Sequence, residues 1–382
     1  MIQPSPNGHG RDIRVLIVDD SPLAVEILRR MLATAPEMVV AGVAGNGVEA
    51  LKLIPEVRPD VVCTDLHMPK MSGLDMIREV MTRYPLPILV ISVSVQEDQK
   101  QNIFQMLEAG ALDILAKPRG GLQSDFDVTA HDLVTKVRIL SGVKVIGRRR
   151  AAAGAAARPP SLARLAAAPP RIIGIGASTG GPQALENVLH HLSADFPLPL
   201  VCVQHIALGF MGGLVAWLAG RCHIPVRTAQ EGAHPLAGTA YFPPDDRHLE
   251  IDDAGTFRCS DAVATAGHRP SVDLAFSSLA RHYGGAAVGV LLTGMGVDGA
   301  QGMLDIARAG GLTIAQDEQS SVVFGMPKRA IELGGARQVL PLDQIGPALG
   351  ELGDGHVSEA AARAHASEPQ RQEARWTGNP KP

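Results

Sequence analysis

A chain of 382 residues, 46% of them hydrophobic, is long enough to close two separate cores, and with only 3% aromatics those cores must be aliphatic. A net charge of −4 leaves no basic footprint for broad nucleic-acid binding. Cys63, Cys202, Cys222 and Cys259 are too dispersed for paired zinc ligands or a disulfide framework, and read as free thiols.

The opening MIQPSPNGHGRD has no apolar h-region, so no signal peptide is expected. From residue 12 apolar runs alternate with amphipathic stretches. Strands are expected at 14–18, 38–43, 61–63, 87–91 and 111–116, and helices near 22–35, 47–57, 73–83, 98–109 and 128–140. Strict alternation of this kind predicts a parallel sheet with helices on both faces. Residues 141–170 are rich in Ala, Arg and Pro and read as a linker, with prolines 159, 160, 169 and 170 confining any helix to short pieces. Alternation resumes at 171–176, followed by a Gly-rich turn and a helix starting near Pro182, where the missing N–H of proline costs nothing. Further strands are expected at 198–204, 239–242, 287–292 and 312–315, giving a second α/β domain over 171–350; the polar, Ala-rich 351–382 reads as a disordered tail. Residues 196–220 carry no Asp, Glu, Lys or Arg, but Pro197, Pro199, Gln204 and His205 interrupt them. A buried strand and a Gly-rich loop entering a helix fit that stretch better than a membrane span.

In the first domain Asp19 and Asp20 close the first strand, Asp65 the third, Ser92 the fourth, and Lys117 follows the fifth. Parallel strands share one C-terminal edge, where ligands bind, so these residues should meet in one pocket. Three carboxylates in one pocket call for a hard divalent cation such as Mg²⁺. Lys117 and Ser92 could neutralise and hydrogen-bond phosphoryl oxygens, and Asp65, alone on its strand end, is the natural nucleophile. Each residue singly is more often a turn, a cap or a solvated loop residue; the joint order carries the reading. VLIVDDS, TDLHMPKMSGLD, ILVIS and ILAKP resemble response-regulator receivers across residues 12–140. That resemblance implies a flavodoxin-like fold, phosphorylation of Asp65 by a chemotaxis-type histidine kinase, and Mg²⁺ held by Asp20, Asp65, the backbone carbonyl of His67, and Asp19 through water. Receivers often carry an aromatic switch residue three positions before the lysine; here Ile114 stands there, which removes the ring-flip route of signal transmission.

The second domain opens with Gly176-Ala-Ser178-Thr-Gly180-Gly181, a G-x-S-x-G turn between strand and helix. A serine nucleophile needs a base and a carboxylate to orient that base. His205 ends the next apolar strand, and Asp298 lies in a Gly-rich loop after another. His234, His248 and His268 compete with His205 as the base. The order Ser, His, Asp excludes the α/β-hydrolase fold. Glycines 174, 176 and 180 could form a dinucleotide turn instead, but that needs an acidic residue at the next strand end, where Gln204-His205 stands. A helix-turn-helix output is disfavoured by the parallel α/β pattern.

GIGASTGGPQAL, VQHIALGF, GHRPSVD, VGVLLTGMGVDGAQGM and VVFGMPKRA are similar to the catalytic domain of chemotaxis protein-glutamate methylesterases (CheB) over 171–350. The resemblance implies a Rossmann-like domain with Ser178 as nucleophile, His205 as base, Asp298 as orienting acid and the Met295 N–H as oxyanion donor. Thr179 and His268–Asp273 would line the site. The family usually carries Pro-Pro shortly after the histidine; Ala207-Leu208 stands here. The implied activity is hydrolysis of glutamate γ-methyl esters, with glutamine deamidation, on methyl-accepting chemoreceptors. It is cytoplasmic, without an esterase cofactor, and it involves neither nucleic acid nor membrane insertion. The receiver would cover the esterase cleft until Asp65 is phosphorylated.

Overall fold

The computed structural model describes residues 11–92, 97–117, 123–145, 162, 167–264 and 267–353. Most of the expected linker and the tail from 354 onward lie outside the described residues.

The first domain alternates β1 (Ile13–Val18), α1 (Pro22–Leu32), β2 (Met38–Ala44), α2 (Gly47–Val57), β3 (Val61–Thr64), α3 (Gly73–Arg83), β4 (Ile88–Ser92), α4 (Glu97–Ala109), β5 (Asp113–Ala116) and α5 (Gln123–Leu140). The first three helices start where a side chain satisfies an otherwise orphaned N–H: Ser21, Asn46 and Ser72 accept from Ala24, Glu49 and Asp75. The sheet order is β2-β1-β3-β4-β5, all parallel. Alternate strand residues point to opposite faces. Val15, Ile17, Val61, Cys63, Leu89 and Ile91 meet α1 and α5, while Leu16, Val18, Val62, Val90 and Ile114 meet α2, α3 and α4.

The second domain contains β6 (Ile172–Ala177), α6 (Gly181–His190), β7 (Leu200–Gln204), α7 (Met211–Ala219), β8 (Val226–Thr228), β9 (Ala240–Phe242), β10 (His248–Ile251), β11 (Phe257–Ser260), α8 (Val272–Tyr283), β12 (Ala287–Leu291), α9 (Ala300–Arg308), β13 (Leu312–Gln316), α10 (Met326–Glu332) and β14 (Gln338–Leu340), closing with a helix over 342–353. Its parallel sheet runs β14-β13-β12-β6-β7-β9-β8. The chain leaves β6 toward β7 on one side and returns as β12 on the other, so the strand order reverses at β6, the position beside which open parallel sheets bind ligands at their C-terminal edge. One face packs on α6, α7 and the helix over 342–353, the other on α8, α9 and α10. The antiparallel hairpin β10-β11, which the strand pattern did not predict, buries Leu249, Ile251 and Phe257 against α8 and ties Ile251 N–H to Ser278 Oγ at 2.9 Å. Residues 196–220 form β7 and α7 as expected, and among the described residues no helix is long and apolar enough to cross a membrane.

The two domains pack against each other. Phe104 of α4 stacks on Trp217 of α7 with centroids 5.8 Å apart. Gln183 Nε2 donates to the carbonyls of Leu107 and Ala111, and Gly180 N–H to that of Leu112. Arg221 pairs with Glu108.

Candidate active site

β6 and β7 run in the register Ala177 to Gln204, and His205 N–H donates to Ala177 O at 3.0 Å. The next residues, Ser178 and His205, therefore leave neighbouring strand ends. The turn after Ser178 needs a left-handed residue, supplied by Gly180 at φ 75°. Gln204 Nε2 clamps the turn by donating to Ser178 O at 2.7 Å. The segment after β12 comes so close that a Cβ on Gly294, the residue before Met295, would sit 2.7 Å from Ser178 Cβ.

His205 Nε2 lies 2.8 Å from Asp298 Oδ2. Asp298 is buried, and its carboxylate also accepts from Val272 N–H at 2.7 Å, Asp273 N–H at 3.0 Å and Ser271 Oγ at 2.9 Å. These donors are the N-cap and the first two residues of α8, whose N-terminus favours negative charge. Burial pushes the Asp298 carboxyl up, but the hydrogen bond and charge of His205, with the backbone donors, win and hold it at about 2. An ionised carboxylate only accepts, so Nε2 carries the hydrogen, and in the neutral imidazole Nδ1 is the nitrogen with the lone pair. That Nδ1 is buried with no hydrogen-bond partner.

Of the rival histidines, His234 Nδ1 lies 3.1 Å from Gly255 O, and His248 is buried with its Nδ1 accepting from Ser271 N–H. His268 stacks on His205, ring centroids 4.0 Å apart and planes within 5°. The exposed Leu208 stands three residues after His205, and the exposed Val297 adjoins Asp298.

Two residues that the sequence reading missed enter from the receiver. Thr179 Oγ1 donates to Asp113 Oδ2 at 2.7 Å, and Lys136 Nζ donates to the same oxygen at 2.7 Å. Burial works against the Lys136 charge, but Asp113 and Asp132 more than restore it and raise its pKa. The grip on Asp298 by α8 was also missed, although Ser271 before an apolar run is an N-cap signal. Asp113 and Lys136 carry no such signal, because their meaning depends on how the domains dock.

In the receiver, oxygens of Asp19, Asp20 and Asp65 lie within 4.8 Å of one another. Lys117 Nζ sits 2.7 Å from Asp19 Oδ2 and 3.1 Å from Asp65 Oδ2. Burial raises the Asp65 pKa, with Lys117 opposing. Ser92 is buried at the end of β4, and its carbonyl accepts from Lys117 N–H at 2.7 Å. A compact all-oxygen donor set fits a hard cation such as Mg²⁺. Ile114 is buried in the core face of β5.

The CheB methylesterase family model matches residues 173–349, and the response regulator receiver domain matches residues 15–123. A protein-glutamate methylesterase/protein-glutamine glutaminase of Nitrosospira multiformis is 41% identical over 345 residues, 89% of this chain and 97% of that protein. A second one so named, from Anaeromyxobacter dehalogenans, is 45% identical over 346 residues, 90% of this chain and 98% of that protein. Among solved structures, the CheB methylesterase catalytic domain of Thermotoga maritima is 38% identical, covering 48% of this chain and 98% of that one, with a TM-score of 0.47. Identity at this level along nearly the whole length of both relatives means that the chain belongs to the protein-glutamate methylesterase/protein-glutamine glutaminase family, joining a receiver domain to a CheB methylesterase domain.

Proposed function

We propose that this chain hydrolyses glutamate γ-methyl esters, and deamidates glutamines, on the cytoplasmic helices of methyl-accepting chemoreceptors, with Ser178, His205 and Asp298 as the catalytic group. The observation that carries this reading is His205 held by Asp298 through Nε2 while Nδ1 stays buried and unpaired. Nδ1 takes the proton as Ser178 Oγ attacks the γ-carbonyl, and the Met295 N–H faces the oxyanion of the tetrahedral intermediate. The proton on Nδ1 then passes to the leaving methanol or ammonia. Water, activated by the same nitrogen, releases glutamate from the acyl-serine. Each oxyanion donor contributes about 2.7–4 kcal/mol to lowering the barrier. Esters and primary amides pass through the same kind of intermediate, so one site serves both. Mass spectrometry of receptor peptides tests this: esters and glutamines should become glutamates with the wild type and stay unchanged with Ser178→Ala. Conversion by Ser178→Ala at the wild-type rate would overturn the assignment.

Phosphorylation of Asp65 by a chemotaxis-type histidine kinase belongs to the same proposal. Asp20, Asp65, the His67 carbonyl and, through water, Asp19 would hold Mg²⁺. The ion would supply positive charge to an incoming phosphoryl group. Lys117 and Ser92 would contact the phosphoryl oxygens. The contact of Asp113 with the hydroxyl of Thr179, next to Ser178, supports a receiver that covers the approach to the serine. Phosphorylation would shift the population toward an undocked, open form.

A further inference from the structure

We infer that His268 is a positioning residue for the esterase: its ring lies flat on His205, fixes the plane of that imidazole, and keeps Nδ1 turned toward Ser178. This inference rests on the proposed role of His205 as the base.

A single hydrogen bond restrains one nitrogen of an imidazole and leaves the ring free to turn about that contact. His205 has one such bond, from Nε2 to Asp298, and no partner at Nδ1. A second restraint is needed if Nδ1 is to meet a serine hydroxyl, and the stack on His268 is that restraint. The two rings are parallel to within 5° with centroids 4.0 Å apart. The arrangement also suits the chemistry. His205 becomes an imidazolium during the reaction, and the face of a neutral aromatic ring attracts a cation.

His268 must therefore remain neutral, because two imidazolium rings in contact would repel. The groups that face it are His205 after β7, Asp298 after β12, and Lys136 from α5 of the receiver. Burial and the proximity of His205, with a smaller push from Lys136, outweigh Asp298 and bring its pKa down to about 4. The proton removed from the serine thus goes to His205 and not to His268, and is available for the leaving group.

The test uses the full chain with Mg²⁺ and a phosphodonor, reading methanol release from methylated receptor for the wild type and for His268→Ala, His268→Phe and Ser178→Ala. His268→Ala should lower kcat about 10- to 100-fold with KM within about twofold, the signature of a misaligned base. His268→Phe keeps a flat ring without ring nitrogens and should recover most of the rate. If the alanine variant fails to fold, His268→Asn replaces it as the polar variant without an aromatic face. Unchanged kcat in the alanine or asparagine variant would overturn the inference. A rise in KM alone would make His268 a substrate contact instead. A phenylalanine variant as inactive as the alanine variant would make the ring nitrogens, not the stack, the functional feature. Wild type and Ser178→Ala releasing methanol at equal rates would refute the underlying esterase reading itself, separately from the stack.

Discussion

Thr179, the residue that follows Ser178, gives its hydroxyl hydrogen to Asp113 of the receiver, and Lys136 shares the same carboxylate oxygen. One receiver side chain thus holds the turn that presents the serine. Asp113 lies at the start of β5, whereas Asp65 and Lys117 follow the far ends of β3 and β5. If Asp65 is the phosphorylated residue, as proposed, β5 is one element that joins its end of the sheet to this contact. Ile114, beside Asp113 and buried in the core, lies on that strand.

Replacing Asp113 with Ala should raise esterase activity in the absence of phosphodonor. A hydrogen bond to a charged group contributes about 1.5–3 kcal/mol, and about 1.4 kcal/mol is tenfold in population. An increase of about tenfold or more in basal methanol release is expected, with little change in the phosphorylated rate. Unchanged basal activity would show that this contact does not restrain the enzyme.

Asp298→Asn should lower kcat by about 10³–10⁴-fold, because an amide can orient His205 in the wrong tautomer and cannot balance the imidazolium. Steady-state kinetics at saturating receptor reads this directly.

Gly294→Ala should damage both stability and turnover. The added Cβ would meet Met326 Sδ at 2.3 Å and Ser178 Cβ at 2.7 Å. Overpacking of this kind costs about 1–3 kcal/mol. The displaced segment carries Met295, so thermal denaturation and kcat should fall together.

Asp273 provides a pH prediction. Burial, followed by the nearby Asp298 charge, raises its carboxyl pKa to about 6 against the backbone donors Gly302 and Gly299. The folded chain thus holds this proton to higher pH than the unfolded chain does. The corresponding stability is complete below about pH 4, the ordinary aspartate range, and is lost as pH rises through about 6. Asp273→Asn should remove that slope, so wild type loses about 1–2 kcal/mol relative to the variant between pH 4 and 6, allowing for solvent screening. Asp298 has the opposite sign: its contribution is present above about pH 4 and is lost as pH falls through about 2. Urea denaturation at several pH values distinguishes the two.

Chelating Mg²⁺ should abolish phosphorylation of Asp65 and the response to phosphodonor while leaving basal methanol release intact. Loss of basal activity on chelation would place a metal in the esterase step.

The first domain was legible almost strand by strand because its apolar runs are continuous and its helices amphipathic. The pairing of His205 with Asp298, and the departure of Ser178 and His205 from neighbouring strand ends, follow one physical reason that the sequence carries: a parallel sheet gathers its C-terminal strand ends at one edge. The strands β8 and β14 are only three residues each, and β10-β11 is a short hairpin, too little periodic pattern to announce itself. The stack of His268 on His205 depends on loop paths that no local pattern encodes. Asp113 and Lys136 read as ordinary strand and helix residues until the second domain is docked against them.

Methanol release from methylated receptor by the full chain, with and without phosphodonor, for wild type and Ser178→Ala, tests the account most directly. Wild type should release methanol slowly alone and several-fold faster with phosphodonor, and Ser178→Ala should release none in either condition. Equal release by wild type and Ser178→Ala would contradict the assignment of Ser178. Wild-type release indifferent to phosphodonor would contradict the docking contact as its restraint.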